Sequence, residues 1–426
     1  MGLISPLGNC VDTFWEALRT GRSGVAPLAS LSPEGLPICC AGEARDFTGV
    51  IDDFGRLQPD QKRTIRKGLK VMCREIQMGV AAAQRALADA GLQPGVFDPE
   101  RTGVVYGSDY IMTMPDEFME GVRSCIGEDR QFHFERWAEE GLPKVTPLWL
   151  LKYLPNMPAS HIAIYNDLRG PNNSITLREA SANLAVSEAY CTILRGGADT
   201  VIAGATGSRV HPLQIVHVAL QEQVAECRGE PARCCRPFDL QRSGMVVGEG
   251  AGAIVLEELQ TARARGARIL AEMVGYGSSS VIERSSLARR GPALRNALQQ
   301  ALVSAGISPE QVGHIQAHGL STRQCDIEEA WAIQEVFGQR PRPVPVTAAK
   351  SYFGNLGAGS GLVELIAGLR ALQEGRLFPV LNYDTPDPEC PVAAVRDLDT
   401  PAGSSLVNLS VTPQAQASAV LLRCAP

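Results

Sequence analysis

Two stretches of this chain resemble copies of one buried β-strand. Residues 251–257 read AGAIVLE and residues 417–423 read ASAVLLR, so small residues precede the same kind of apolar run in both. Each copy follows a helical pattern and an earlier apolar strand, which indicates that one folding unit occurs twice. Repeated helix–strand units predict an α/β fold in which helices cover both faces of each sheet.

Four helices are predicted from apolar spacing and from the glycines that end them. The two that matter most cover residues 178–194, ending at Gly196-Gly197, and residues 361–373, ending at Gly375. Amphipathic helices are predicted over residues 76–87 and 293–305.

The strand pattern places the two units in consecutive halves of the chain. Strands are predicted over residues 199–205, 253–256, 405–411 and 418–422. A strand, and no helix, follows the glycines of GEGAG at residues 248–252, so this segment is not a dinucleotide-binding fingerprint. The sequence therefore predicts halves at residues 1–258 and 259–426, with no disordered linker between them.

Composition excludes several classes of protein. The chain has 426 residues and a net charge of −6, so nucleic acid is not the expected partner. No apolar run reaches the ~18 residues of a membrane span, and no secretory signal is recognisable, which predicts a cytoplasmic protein. The 12 cysteines are scattered without a C-x-x-C pair, a pattern typical of free, mostly buried thiols.

Separated motifs carry a resemblance that spans almost the whole chain. They are GLISPLGN (2–9), GPNNSITLREAS (170–181), RPFD (236–239) with GEGAG (248–252), AHGLST (317–322) and KSYFGNL (350–356). In this order they resemble the β-ketoacyl-acyl carrier protein synthases, or ketosynthases. A short apolar strand usually precedes the first motif in this family, so its absence leads us to expect a truncated or mis-started chain.

The resemblance implies a thiolase-like duplicated fold with two pseudo-symmetric halves and sheets layered between helices. It also implies a dimer, an acyl carrier protein as partner, and no bound cofactor or metal. The substrate would be an acyl or malonyl group on the phosphopantetheine of that carrier protein. Related synthases pair central strands across a two-fold axis, and we expect residues 199–205 to be that strand here.

The catalytic positions depart from the family pattern. Glu179 stands where the reactive cysteine is expected, and Asn355 stands where the second histidine is expected. The Gly-rich stretch near the C-terminus is SVTPQ at residues 410–414. His318 keeps the first catalytic histidine.

Other motif positions predict supporting and binding roles. Lys350 and Glu329 are expected to form an ion pair under the pocket, and Asp326 also keeps the family residue. Ser321, Thr322 and Thr412 are candidate substrate-binding residues.

Glu179 is a poor nucleophile for this chemistry. A thiolate exchanges one thioester for another, whereas carboxylate attack would give a mixed anhydride of higher energy. For decarboxylation, His318 and Asn355 can supply donors to an enolate oxygen. An ionised Glu179 about 4 Å from an anionic substrate would oppose this by about 4 kcal/mol at an effective dielectric of ~20, unless it is protonated or paired with Arg178.

A run of basic residues lies upstream at helical spacing. It comprises Lys62, Arg63, Arg66, Lys67 and Lys70. The run is either a solvated surface or a docking site for an acidic acyl carrier protein, which related synthases bind through basic residues in this region.

Three functions stay open at this point. The first is a non-condensing partner of an active synthase, similar to the chain-length-factor subunits, working as a homodimer or heterodimer. The second is a functional 3-oxoacyl synthase or malonyl decarboxylase that uses His318 and Asn355. The third is a scaffold without an acyl ligand, which a collapsed pocket would favour.

Overall fold

The computed structural model describes residues 1–93, 95–227 and 229–425. The strands within them are β1 (Gly2–Ile4), β2 (Val25–Pro27), β3 (Cys40–Gly42), β4 (Thr102–Ser108), β5 (Asn172–Thr176), β6 (Thr200–Ser208), β7 (Glu249–Glu257), β8 (Ala271–Ser280), β9 (His314–Gln316), β10 (Pro345–Thr347), β11 (Ala393–Ala394), β12 (Ser405–Val411) and β13 (Gln416–Cys424). The α-helices are α1 (Val11–Arg19), α2 (Pro59–Gly68), α3 (Arg74–Asp89), α4 (Asp116–Ser124), α5 (Met157–Asn166), α6 (Ser181–Leu194), α7 (Pro212–Ala219), α8 (Leu259–Ala264), α9 (Arg290–Ala305), α10 (Arg323–Phe337), α11 (Lys350–Phe353) and α12 (Ser360–Glu374). Across these residues, no helix is long and apolar enough to cross a membrane.

The first sheet has the strand order β1-β7-β6-β4-β5. Strand β7 is antiparallel to β1 and β6, whereas β6, β4 and β5 run parallel. Every residue of β4 and β6 is buried. Such burial is expected for parallel strands that have helices on both faces.

The second sheet repeats this arrangement. Its strands follow the order β8-β13-β12-β9-β10, with β11 added beyond β10. Strand β13 is antiparallel to β8 and β12, and β12, β9 and β10 run parallel. The directions match the first sheet strand by strand, and β7 and β13, which contain the two similar sequences, take the same place. The predicted duplicated α/β fold is confirmed, while the domain boundary at residue 258 stays a prediction.

Helices and sheets alternate in five layers. Helix α3 packs on the outer face of the first sheet, and α9, with α10 against it, covers the outer face of the second. Helices α6 and α12 lie between the sheets, where their apolar residues form the central core with both.

The predicted helices are present with small changes at their ends. Residues 178–194 form a 3-10 turn, Arg178–Ala180, followed directly by α6. The helices predicted over 76–87, 293–305 and 361–373 correspond to α3, α9 and α12, each slightly longer than its apolar pattern. Helix ends depend on local hydrogen bonds more than on apolar spacing, which explains the differences.

One strand was not predicted from the sequence, and one prediction about a strand is wrong. Residues 2–4 form β1, a strand that the sequence did not predict, and it pairs with residues 251–253 of β7. The prediction that residues 199–205 pair across a two-fold axis is wrong, because β6 is hydrogen-bonded to β4 on one side and to β7 on the other. A strand with both edges occupied has no free backbone groups for a second chain.

The starts of α6 and α12 meet at the centre of the molecule. A Cβ atom placed on Gly361 would lie 2.7 Å from the Cβ of Ala182, so the glycine permits this close approach. The helix starts bring the segments before them, residues 178–180 and 354–359, into one buried site.

Candidate active site

Glu179 lies at the start of α6 with its side chain buried. It belongs to the 3-10 turn Arg178–Ala180 and is 2% exposed. The turn begins with Arg178 at φ 53°, a left-handed conformation that is uncommon outside glycine. The hydroxyl of Ser181 accepts a hydrogen bond from the backbone N–H of Leu177 at 2.7 Å, which closes the turn.

Arg209 is the principal partner of Glu179. Its Nη2 lies 2.8 Å from Glu179 Oε1 and 2.7 Å from Asp109 Oδ2, and the side chain is 1% exposed. Arg178 is a weaker partner, with its Nε 3.6 Å from Glu179 Oε2. Burial alone would raise the pKa of Glu179, but the charges of Arg209 and then Arg178 hold it far below its usual range. The carboxylate is therefore ionised and fixed in place.

Asn355 contacts the same carboxylate. Its amide nitrogen donates to Glu179 Oε1 at 3.1 Å and contacts Met245 Sδ at 3.0 Å. Its amide oxygen accepts from the backbone N–H of Gly357 and from the Ser360 hydroxyl, each at 3.1 Å. Both ends of the amide are occupied, so Asn355 has no donor left for a substrate oxygen.

His318 lines the same cavity and is in contact with Lys350. Lys350 Nζ lies 3.2 Å from His318 Nδ1 and 2.9 Å from its backbone oxygen. Burial and the charge of Lys350 lower the pKa of His318 well below its usual value. Because the ammonium donates to Nδ1, the neutral ring carries its proton on Nε2.

The predicted pair between Lys350 and Glu329 is wrong. The ammonium of Lys350 pairs instead with Glu364 Oε1 of α12 at 2.5 Å. Glu329 accepts the backbone N–H groups of His318 and Gly319 at 2.6 and 2.8 Å, and burial raises its pKa to about 8. Glu329 thus orients the turn that carries His318, whereas Glu364 holds Lys350.

The cavity between these residues is small and largely enclosed. The space open to the centre of a water molecule is about 10 Å³, about what a single water needs. Its wall also contains Arg290, paired with Glu222, and the thiol of Cys325. Burial raises the pKa of Cys325 well above its usual value, so this thiol does not replace the missing nucleophile.

The predicted binding residues do not all reach the cavity. Thr412 lies in its wall, but Ser321 and Thr322 do not. The hydroxyl of Ser321 accepts from the backbone N–H of Arg236 at 3.0 Å, and Thr322 precedes α10 as its N-cap residue. The hydroxyl of Thr322 is buried and has no hydrogen-bond partner among the described residues, so a binding role for Ser321 and Thr322 stays a prediction.

The basic run lies on α2 and the turn after it. Lys62 pairs with Asp52 at 2.6 Å. Four of its members are exposed and make no ion pair with any residue that the structure describes; these are Arg63, Arg66, Lys67 and Lys70. An unpaired, exposed set of cations is available to an acidic partner.

Sequence reasoning missed Arg209 and Asp109. Both follow directly after parallel neighbouring strands, Asp109 after β4 and Arg209 after β6. Carboxyl ends of parallel strands meet at one edge of a sheet, so charged residues at these two positions were a usable signal.

The site gathers several charged groups around one carboxylate. The Glu179 carboxylate is bound to cations that reduce its nucleophilicity. The Asn355 amide cannot act as a general acid or base at neutral pH. His318 keeps the family's histidine in a neutral form. The position where the resemblance expects a cysteine is therefore occupied by an ionised, buried carboxylate.

Known proteins place the chain in a family. Residues 1–262 match the β-ketoacyl synthase N-terminal domain and residues 270–384 match the C-terminal domain. The 3-oxoacyl-[acyl-carrier-protein] synthase 2 of Synechocystis is 31% identical over 408 residues, which cover 95% of this chain and 90% of that protein.

Solved structures agree. A chain from a type II polyketide synthase acyl-carrier protein in complex with its ketosynthase is 25% identical, with a TM-score of 0.81 and coverage of 100% and 98% of the two chains. A chain of the ishigamide ketosynthase/chain length factor is 26% identical, with a TM-score of 0.80 and the same coverage. This chain therefore belongs to the β-ketoacyl synthase family of fatty acid and polyketide biosynthesis.

Proposed function

We propose that this chain is a non-condensing ketosynthase subunit, similar to a chain length factor, that works as the partner of an active β-ketoacyl-acyl carrier protein synthase. The observation that carries this proposal is the state of Glu179, which is ionised, buried and fixed between Arg209 and Asn355. A carboxylate held in this way has no route to a stable acyl intermediate.

The small cavity opposes acyl loading at this site, and it agrees equally with a scaffold that binds no acyl ligand. An acyl chain needs a continuous pocket, and the space beside His318 holds about one water molecule. The working parts of such a subunit are its surfaces, through which it would contact a synthase and a carrier protein.

A malonyl decarboxylase is the second candidate. It is favoured by the neutral His318 with Lys350 behind it, and by Arg178 and Arg290 in the cavity wall, which suit an anionic substrate. Glu179 opposes it, because its negative charge would face the developing enolate.

Two measurements separate these candidates. Release of carbon dioxide from malonyl-acyl carrier protein by the purified chain alone would support the decarboxylase. For the partner function, the chain is produced together with a cysteine-bearing β-ketoacyl synthase from the same organism. We expect a stable heterodimer on size-exclusion chromatography and a product whose length changes when this chain is omitted. The proposal would be contradicted if no heterodimer formed and the product length stayed the same without this chain.

Position 179 should stay free of acyl adducts. We expect no mass increase after incubation with malonyl- or acyl-carrier protein, because the anhydride at Glu179 lies above the thioester in energy. Intact-mass spectrometry with peptide mapping is the measurement, and a cysteine-bearing synthase treated identically is the positive control. A stable adduct mapped to Glu179 would refute this prediction.

We infer that the subunit dimerises through β5. This strand is the open edge of the first sheet, and three of its five residues are exposed. The neighbouring segment 116–152 exposes large apolar side chains, with Phe134 74% and Leu148 67% exposed. The Ser174 hydroxyl of β5 donates to the Pro155 carbonyl just after that segment, so edge and apolar surface adjoin. Together they suit a second chain of the same family.

Introducing charge on this edge should weaken the dimer. The double variant Asn172→Asp/Asn173→Asp places like charges opposite each other across a two-fold axis, and we expect a dimer dissociation constant at least about tenfold higher. Light scattering over a concentration series measures it. Ser304→Asp, on the exposed end of α9, is the control and should leave the dimer unchanged.

The basic run is proposed as a docking site for an acyl carrier protein. We expect Arg66→Glu/Lys67→Glu to weaken carrier-protein binding about tenfold at low salt, with a smaller effect at high salt because exposed charges are screened. Arg263→Glu/Arg284→Glu, which reverses two other exposed cations, is the matched control. Equal losses in both variants, measured by calorimetry or interferometry, would assign the effect to net charge alone.

A further inference from the structure

Four cysteines from distant parts of the chain meet in one cluster. Cys227 Sγ lies 2.6 Å from Cys40 Sγ and 3.3 Å from Cys234 Sγ. The sulfur atoms of Cys39, Cys40 and Cys227 all lie within 4.8 Å of one another. Cys39 and Cys40 are separated from the other two by nearly half of the chain, so only the fold brings these thiols together.

The cluster lies among ordered secondary structure and mostly apolar side chains. Cys40 begins β3, which pairs with β2, and Cys234 follows the 3-10 turn Pro231–Arg233. Cys40 and Cys234 are buried against Val25 and Val246, whereas Cys39 is exposed. An ion can therefore enter from the side of Cys39 and be enclosed by the buried pair.

We propose that Cys39, Cys40, Cys227 and Cys234 form a structural binding site for one Zn²⁺ ion. Sulfur ligands about 2.3 Å from a tetrahedral ion lie about 3.8 Å apart. The Cys40–Cys227 and Cys227–Cys234 sulfur separations are 2.6 and 3.3 Å, so binding would move these thiols slightly apart. The described members of the cluster offer no carboxylate or imidazole, so the donor set suits a soft ion and not Mg²⁺ or Ca²⁺. Binding would release the protons of the thiols that are still protonated.

A bound ion would connect β3 to the segment of residues 227–246, which ends beside the candidate active site. Val246, which packs against the cluster, accepts the backbone N–H of Asn355 at 2.8 Å. The neighbouring Met245 contacts the Asn355 amide through its sulfur. Metal loss is therefore expected to loosen the wall of the cavity as well as the surface.

The experiment uses the full chain purified under reducing conditions after growth with zinc. We expect about one zinc per chain by plasma mass spectrometry, and a thiolate-to-metal absorption band after exchange with Co²⁺. Cys40→Ser and Cys234→Ser should each lose most of the metal, while Cys10→Ser and Cys424→Ser, at exposed cysteines elsewhere, should retain it. Chelation should lower the melting temperature of the unaltered chain but not that of the cluster variants.

Two results would overturn the proposal. One is a metal-free protein that shows no Co²⁺ band and carries a disulfide within the cluster. The other is full zinc retention in Cys40→Ser and Cys234→Ser. If those buried variants fail to fold, Cys39→Ser at the exposed position and titration of the unaltered chain with a mercurial give the same decision, since zinc should be released as the cluster thiols react.

Discussion

Replacing Arg209 with methionine is expected to lower the free energy of unfolding by about 3–5 kcal/mol, the usual cost of leaving a buried charge without its partner. Arg209 is 1% exposed and contacts both Asp109 and Glu179 at less than 3 Å. Methionine keeps most of the volume, so the loss reports the missing charge and hydrogen bonds. Urea denaturation of the purified chain measures the change.

Arg195→Met is the matched control. Arg195 also pairs with a carboxylate, Glu188 at 2.9 Å, but its side chain is 64% exposed and its loss should cost less than about 1 kcal/mol. Adding Glu179→Gln to Arg209→Met should restore part of the stability, because the amide has no charge to leave unpaired. Equal losses of unfolding free energy in Arg209→Met and Arg195→Met would show that the buried ion pair does not stabilise the site.

The same pair predicts how stability depends on pH. The folded-state pKa of Glu179 lies below the unfolded value of about 4.3, so its ionised form stabilises the fold at higher pH and this contribution is lost as pH falls below about 4. Arg209→Met should reduce this dependence, because the carboxyl then loses the charge that favours ionisation. Unfolding midpoints between pH 3 and 7 test this expectation in both proteins.

The duplicated fold was predictable because its evidence is local. Residues 251–257 and 417–423 carry the apolar run of a buried strand, and the glycines after α6 and α12 mark helix ends. Strand β1 was not predictable in this way, since three residues cannot show a period. The order of strands also lay beyond the sequence pattern, because β6 has the same apolar character whether it is central or at an edge.

The site was predicted in part. The family motifs brought Glu179, His318 and Asn355 to attention, and the structure places all three at one cavity. The partners of these residues depend on tertiary register, which no motif contains. Both Glu329 and Glu364 are fully buried acids, and only the packing of α12 decides that Lys350 contacts Glu364.

Glu179→Cys alone is expected not to restore condensation. The new thiol would inherit Arg209 and Arg178 as neighbours, and these charges favour the thiolate. We therefore expect a thiolate at position 179 but no β-ketoacyl product, and only slow alkylation by iodoacetamide because the cavity holds about one water molecule. A reactive nucleophile is only one part of a catalytic unit whose members act together.

The missing part is the second imidazole. Asn355 has both ends of its amide occupied and cannot supply the donor that a histidine would give to an enolate oxygen. Adding Asn355→His to Glu179→Cys should raise the rate of carbon dioxide release and product formation by about 10²-fold or more over either single variant, the usual contribution of one acid–base group. Asn355→His alone keeps the locked carboxylate and should stay inactive. If Glu179→Cys by itself turned over as fast as a cysteine-bearing synthase, then Asn355 and the small cavity would not limit the chemistry. The proposal of a non-condensing subunit would then rest on Glu179 alone.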